Sequence, residues 1–489
     1  MKKIRFSQHF GLKKSQLELD FVDITINDGD LPLFIDPFAI HHRIDRFSID
    51  SHNTLVAYFQ LLINVIREDR DAEALALLSH LQEPNTTRLG LSKGSHPRGR
   101  GIGDIQAGQL LAALKKSKAV RTGFLKDLED CALLIDGIGS DKISDITTNV
   151  IRWQLIKYTV DQCALWNIKL NSGVYVGNIW NREMEGWEAR YGDLPVCKGF
   201  PVILVPKAIA RIKTQFEGHE YYRMNVLPYL QAEHMDTNSN LTRLLKSGER
   251  RPPTKKTLEK HYPYSKDFLF SFSKDHPDVL EQYKEHKNEF LLDVSNEELT
   301  EVQIVAGVKT APIDISSVLG KLASIPSGKD GADEYHNHMY GILTSVFYPD
   351  LIYPKKEQPV DSGRKRVDIT FQNYAKNGFF RWLSNGPGIP CAYIHCECKN
   401  YEEDPANPDL DQLTGRFSAN MGQFGFLLCR TIKDKDQFYT RCRYAALKRQ
   451  QYVIPLDDVD VKQILYLAQA QQRSELYKFL DDKFRCISM

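Results

Sequence analysis

Ala392-Tyr-Ile-His-Cys-Glu-Cys-Lys-Asn400 is the stretch on which the reading of this chain turns. It is rich in strand-forming residues and follows the turn-forming run Gly386-Pro-Gly-Ile-Pro390, which predicts a buried β-strand. Side chains alternate across a strand. Ala392, Ile394, Cys396 and Cys398 therefore share a small apolar face, and Tyr393, His395, Glu397 and Lys399 share the other. Buried charge is costly unless it is paired or bound to a metal. A carboxylate and an ammonium two residues apart on one strand face mark the place where chemistry is expected.

Working outward, Ala332 to Phe347 reads as a helix with Met339, Ile342, Leu343, Val346 and Phe347 on its apolar side and Glu334 in its first turn. Lys355 to Val360 and Arg364 to Phe371 flank Asp361-Ser-Gly363, a hairpin signal. On the second of these strands Val367, Ile369 and Phe371 face one way, and Arg366, Asp368 and Thr370 the other. Gln372 to Pro390 reads as a connection carrying a short helix. Asp409 to Asn420 is expected to be a helix that sets Gln412 and Arg416 one turn apart on one face. Phe424 to Cys429 and Phe438 to Arg443 read as further strands. The order helix, hairpin, strand, helix, strand predicts an α/β sandwich.

In such a sandwich Glu334, Asp368, Glu397 and Lys399 converge into a pocket of three carboxylates and one ammonium. Hard oxygen ligands suit Mg²⁺ or Mn²⁺ better than zinc. An ion held there could activate water and clamp a phosphate oxygen, with the ammonium orienting the nucleophile or offsetting developing charge. Phosphodiester hydrolysis needs that combination. The plainer alternatives are a structural ion pair between Glu397 and Lys399, a helix-opening role for Glu334 and a hydrogen-bonded structural His395. Arg416 fits either a phosphate contact or a pair with an acidic neighbour.

Asp368 followed by Glu397-Cys-Lys399 resembles the motif of the PD-(D/E)xK nuclease superfamily, the restriction-endonuclease-like fold. The surrounding words are Arg366-Val-Asp-Ile369, Glu397-Cys-Lys-Asn-Tyr401 and Asp411-Gln-Leu-Thr-Gly-Arg-Phe417. Glu334 matches the acidic residue on the first core helix of many members, and Gln412 a glutamine on the helix after the catalytic strand. Val367 stands where many members carry proline. The resemblance covers roughly residues 330 to 450. It implies a Mg²⁺- or Mn²⁺-dependent endonuclease in which Asp368, Glu397 and Glu334 bind metal, Lys399 assists the attacking water and Gln412 completes the catalytic set. A nuclease fused to a separate N-terminal domain also resembles prokaryotic anti-phage effectors.

At 489 residues the chain is long enough for two or three domains. We expect a mixed α/β N-terminal domain over 1–205, a helical and basic linker region over 206–325 and the nuclease domain over 326–489. A net charge of +1 gives no global basic field, so nucleic-acid contacts must come from local patches. Candidates are Arg366, Arg416, and Arg98 and Arg100 in the glycine-rich run Gly90–Gly103, for which a surface loop is the plainer reading. Nine cysteines without a Cys-x-x-Cys pair argue against a disulfide framework or zinc ribbon and suit a reducing cytoplasm. No apolar run is long enough to span a membrane, and the first residues do not form a secretory signal.

In the N-terminal region, Phe21–Ile26 and Leu31–Ile35 are expected to pair as strands, Thr54–Arg67 to be a helix, Cys131–Asp136 a buried strand, Ser140–Cys163 one long helix and Phe200–Val205 a strand. Arg243–Lys266 reads as a basic, partly extended linker. The expected partner is nucleic acid, with DNA the first choice. A homodimer or higher homo-oligomer and a protein or phage-derived trigger are further expectations. Two other function classes stay open: a catalytically silent binding module that keeps the nuclease fold, and an enzyme whose chemistry lies near Gly90–Gly103 or Asp136–Asp145.

Overall fold

The computed structural model describes residues 3–27, 29–81, 84–90, 103–125, 127–246, 249–289, 295–307, 314–356 and 369–488. Within them the chain is mixed α/β. The hydrophobic stripe at Leu55, Phe59, Leu62 and Ile66 is buried as its period requires. Its helix begins earlier than expected, at Arg46, because the Asp45 carboxylate accepts from Ser48 N at 2.7 Å and caps it.

Several N-terminal expectations are corrected. Phe21–Ile26 and Leu31–Ile35 do not form a hairpin; Phe21 bridges Pro206, Leu31 bridges Leu89, and Phe34–Ile35 pairs with Ala210–Arg211. Asp23 is as buried as its apolar neighbours, held by Arg5 Nη1 at 3.1 Å and by the Ser7 hydroxyl at 2.6 Å. The expected Cys131–Asp136 strand is a short helix, Asp130–Leu134; apolar runs of that length do not distinguish a strand from a buried helical turn. The expected single helix is interrupted at Ile151, giving Ser140–Val150 and Arg152–Leu165. Of Phe200–Val205 only Phe200–Pro201 is paired, with Val196–Cys197. A long hairpin, Asn171–Asn181 with Gly186–Leu194, was not anticipated.

The region expected as a linker is more ordered than its composition suggests. Arg243–Leu244 and Arg250–Arg251 form a two-residue ladder, and Thr254 caps the helix Lys255–His261. Pro277–Glu289 and Ile315–Ser324 are helices as well.

The C-terminal body is built on a five-stranded sheet in the order Tyr452–Asp457, Phe424–Cys429, Tyr393–Lys399, Ile369–Asn373, Leu351–Lys355. The first three strands are parallel to one another and the last two antiparallel. Tyr393–Lys399 is the central strand, as expected, with Cys396 opposite both Ile369 and Phe426. The helix Ala332–Phe347 packs with Met339, Ile342, Leu343, Val346 and Phe347 all buried. Phe347 stacks on Phe426 with ring centroids 5.6 Å apart, so this helix covers the face that carries Ile394, Cys396 and Cys398. Each such buried side chain contributes about 1.5–3 kcal/mol. The short helix expected in the connection is Gly378–Asn385.

Two expectations fail here. Phe438–Arg443 is not a strand but part of the helix Lys435–Arg449, and the next strand is Tyr452–Asp457. The helix expected over Asp409–Asn420 spans Asn407–Thr414.

The two bodies pack closely. Asp20, fully buried, accepts from Tyr158 Oη at 2.7 Å and from Tyr353 N at 3.2 Å, across the seam. Where the chain enters the C-terminal body, Asn400 Nδ2 donates to the carbonyls of Pro326 and Gly328, both at 2.9 Å, and Gly328 N donates back to Asn400 O at 2.5 Å. Gly331 closes this clasp: a Cβ there would sit 2.0 Å from Pro326 O. Among the described residues no helix is long and apolar enough to cross a membrane.

Candidate active site

Alternation on the central strand places His395, Glu397 and Lys399 beneath the helix Asn407–Thr414, on the face away from Phe347. Glu397 is buried to 2% side-chain exposure. A bare carboxylate there would be prohibitive, and both of its oxygens are held by cations. Lys399 Nζ donates to Oε1 at 3.1 Å, and Arg416 Nη1 donates to Oε2 at 2.8 Å. Lys399 Nζ also donates to Gln412 Oε1 at 2.7 Å and lies 3.6 Å from Asp409 Oδ1. Strand and following helix thus converge on one ammonium.

Glu397, Lys399, Gln412 and Arg416 are brought together. Arg416 reaches Glu397 from beyond the end of its helix rather than from the same face as Gln412, and its Nη2 finds no acceptor among the described residues. Of the two readings open for it, pairing with an acidic neighbour is the one this structure displays. Glu334 is placed elsewhere. Its carboxylate pairs with Lys321 on the half-exposed side of its helix, lining a cavity of about 1090 Å³ with Lys13, Lys14 and His338. The corrected view of Glu334 follows from helical geometry: two residues further on, His336 is the side chain that hydrogen-bonds the Cys398 backbone and feels the Glu397 charge. Asp368, Arg366, Arg98 and Arg100 lie outside the described residues.

His395 sits against the Phe417 ring, with Nδ1 3.3 Å from Thr370 Oγ1. Burial, assisted by the Arg416 charge, pushes its imidazole down to about 4, so it is neutral at physiological pH and serves as a structural group. Two contributors were missed in the sequence. Asp409 lies one turn before Gln412, and that spacing could have marked it; His336 carried no signal beyond its helix. Cys396 and Cys398 are buried on the opposite face, as expected.

The donor set facing Lys399 is all oxygen: the Glu397 and Asp409 carboxylates and the Gln412 amide carbonyl. It fits a hard divalent ion such as Mg²⁺ or Mn²⁺. An ion at Glu397 must take the place of at least one of the two cations now holding it.

Compared with known families, residues 11–217 match a family model described as a Domain of unknown function (DUF8370). The match covers the N-terminal body and stops short of the sheet that carries Glu397. No curated protein and no solved structure matches the chain.

Proposed function

We propose that the C-terminal body, residues 326–489, is a metal-dependent endonuclease of the PD-(D/E)xK type that hydrolyses DNA phosphodiester bonds. The N-terminal body senses or gates it, in an anti-phage or restriction role. The observation that carries this reading is the Lys399 ammonium, held between Glu397 Oε1 at 3.1 Å and Gln412 Oε1 at 2.7 Å. An ammonium has three N–H donors. Two are committed to these oxygens, and the third, which has only the more distant Asp409 Oδ1 at 3.6 Å, is the one that would turn to the attacking water or a phosphate oxygen.

Glu397, with Asp409 and Gln412 beside it, would hold the ion; Asp368, on sequence grounds alone, would join them. Bound Mg²⁺ supplies positive charge that polarises the phosphate and lowers the pKa of an attached water. Gln412 keeps Lys399 directed at the reacting centre. Lys399 orients the nucleophile and offsets the charge that grows on the phosphoryl oxygens. Arg416, released from Glu397, has its whole guanidinium fork available to a phosphate.

The second reading is a catalytically silent binding module with the same fold. The Arg416–Glu397 pair favours it, because it occupies the carboxylate that metal needs.

Nicking of supercoiled plasmid in Mg²⁺, Mn²⁺ or EDTA, wild type beside Lys399→Ala, separates the two. The nuclease reading expects metal-dependent nicking that falls by roughly 10²–10³-fold in the variant. Equal nicking by both proteins overturns the assignment. No cutting by either protein of plasmid, linear duplex, single-stranded DNA or RNA leaves a gated nuclease or a silent site, and the same assay on residues 326–489 alone decides: cutting there supports the gated nuclease, and none supports the silent module.

A further inference from the structure

We infer that His41, Asp127 and Glu129 form a second divalent-metal site, in the N-terminal body and separate from Glu397. One ligand atom from each of the three residues lies within 4.8 Å of the others, a span that a single ion can bridge. His41 ends the helix Pro37–His41, and Asp127 and Glu129 precede the helix Asp130–Leu134, so the ion would join two segments far apart in the chain.

The imidazole is already fixed in direction. The His52 ring stacks on His41 at a centroid distance of 4.1 Å, and the His42 ring lies 4.7 Å away, with interplanar angles of 14° and 20°. His41 Nδ1 is 3.2 Å from Glu129 Oε1. Metal-binding histidines need this kind of orientation by their surroundings.

Among the described residues, charge at the cluster is unbalanced: Asp127, Glu129 and Asp130 gather around one ammonium, Lys284, which takes Asp130 at 2.7 Å and reaches Asp127 at 3.9 Å. Glu129 is 6% exposed, and the His41 ring is its ion-pair partner at 3.2 Å. A divalent cation would settle two carboxylates at once.

One imidazole nitrogen with two carboxylate oxygens suits a first-row ion, Zn²⁺ or Fe²⁺ first and the harder Mn²⁺ after them, rather than Mg²⁺. The site stands beside the seam between the bodies. Two residues after His41, the Arg43 guanidinium lies 3.9 Å over the Tyr374 ring, and Tyr374 directly follows the Ile369–Asn373 strand. A bound ion would brace that seam.

Calorimetric titration of Zn²⁺ and of Mn²⁺ into the full chain tests this, using wild type, Glu397→Gln, His41→Gln and Asp127→Asn. The expected result is a binding event that Glu397→Gln retains and that His41→Gln and Asp127→Asn each weaken by at least about tenfold, distinct from any Mn²⁺ uptake that Glu397→Gln removes. Metal uptake lost only in Glu397→Gln would support the nuclease centre and overturn this second site. No uptake by Glu397→Gln protein, or unaltered uptake by both His41→Gln and Asp127→Asn, also overturns it. Should His41→Gln fail to fold by circular dichroism, Asp127→Asn decides alone, since Asp127 is partly exposed.

Discussion

Replacing Arg416 by alanine asks whether Glu397 is a metal ligand held in reserve. In the structure the Glu397 carboxylate is nearly inaccessible, and its two oxygens are divided between Lys399 at 3.1 Å and Arg416 at 2.8 Å. Stranding a buried charge completely costs about 3–5 kcal/mol, whereas losing one charge-assisted hydrogen bond costs about 1.5–3 kcal/mol. Lys399 stays in place, so the second figure applies, and Arg416→Ala should lose about 2 kcal/mol in EDTA. For a body of this size that is a fall in melting temperature of about 4–8 °C. The freed oxygen is then open to metal. Mg²⁺ at a hundred times its dissociation constant returns about 2.7 kcal/mol, enough to cancel the loss. Thermal melts of wild type, Arg416→Ala and Arg416→Ala with Glu397→Gln, each in EDTA and in Mg²⁺, read this directly. The reasoning fails if Arg416→Ala shows the same deficit in both buffers, or if the double variant gains as much from Mg²⁺ as the single one.

Gln412→Leu removes the acceptor 2.7 Å from Lys399 and should lower plasmid cleavage by about 10- to 100-fold, a smaller loss than Lys399→Ala, because a hydrogen bond to a charged group is worth about 1.5–3 kcal/mol. Glu334→Gln should leave cleavage within about threefold of wild type, since exposed pairs such as Lys321–Glu334 contribute little; a loss as deep as that of Lys399→Ala would restore Glu334 to the metal set. His395 gives a pH signature. Its folded pKa of about 4 lies below the ordinary histidine value, so the unfolded chain binds the proton first and stability falls as pH drops from about 6.5 to about 4. The contribution is on the order of 3 kcal/mol, and His395→Gln should flatten that part of a urea-midpoint-against-pH curve. An unchanged slope would show that the acid sensitivity comes from other groups, such as His338 and His42, which burial also pushes down to about 4.

The C-terminal body was legible where one element dictates its own period. Ala332–Phe347 and Tyr393–Lys399 have one apolar face each, and both appear with the expected residues inside. Phe438–Arg443 misled because its apolar and polar residues alternate like a strand, although the run lies inside a helix that Asp434 caps through Gln437 N at 3.0 Å. The N-terminal body was harder to read because its polar residues are buried too. Asp20, Asp23, Arg43 and Lys207 are almost inaccessible, so hydropathy no longer reports which side faces water. At the site, Glu397, Lys399 and Gln412 could be placed from strand parity and helical spacing. Glu334 could not, because helix rotation is set by packing against the sheet and the N-terminal body, and sequence spacing does not record that angle.

The Asn400 clasp turns a loop into a lever. Lys399 is one peptide bond away from a residue tied by three hydrogen bonds to Pro326 and Gly328, the stretch through which the chain enters the C-terminal body. Tension on that stretch has almost no slack to take up before it reaches the ammonium. Movement of residues 326–328 would therefore pass to Asn400 and, across one peptide bond, to the backbone that carries Lys399.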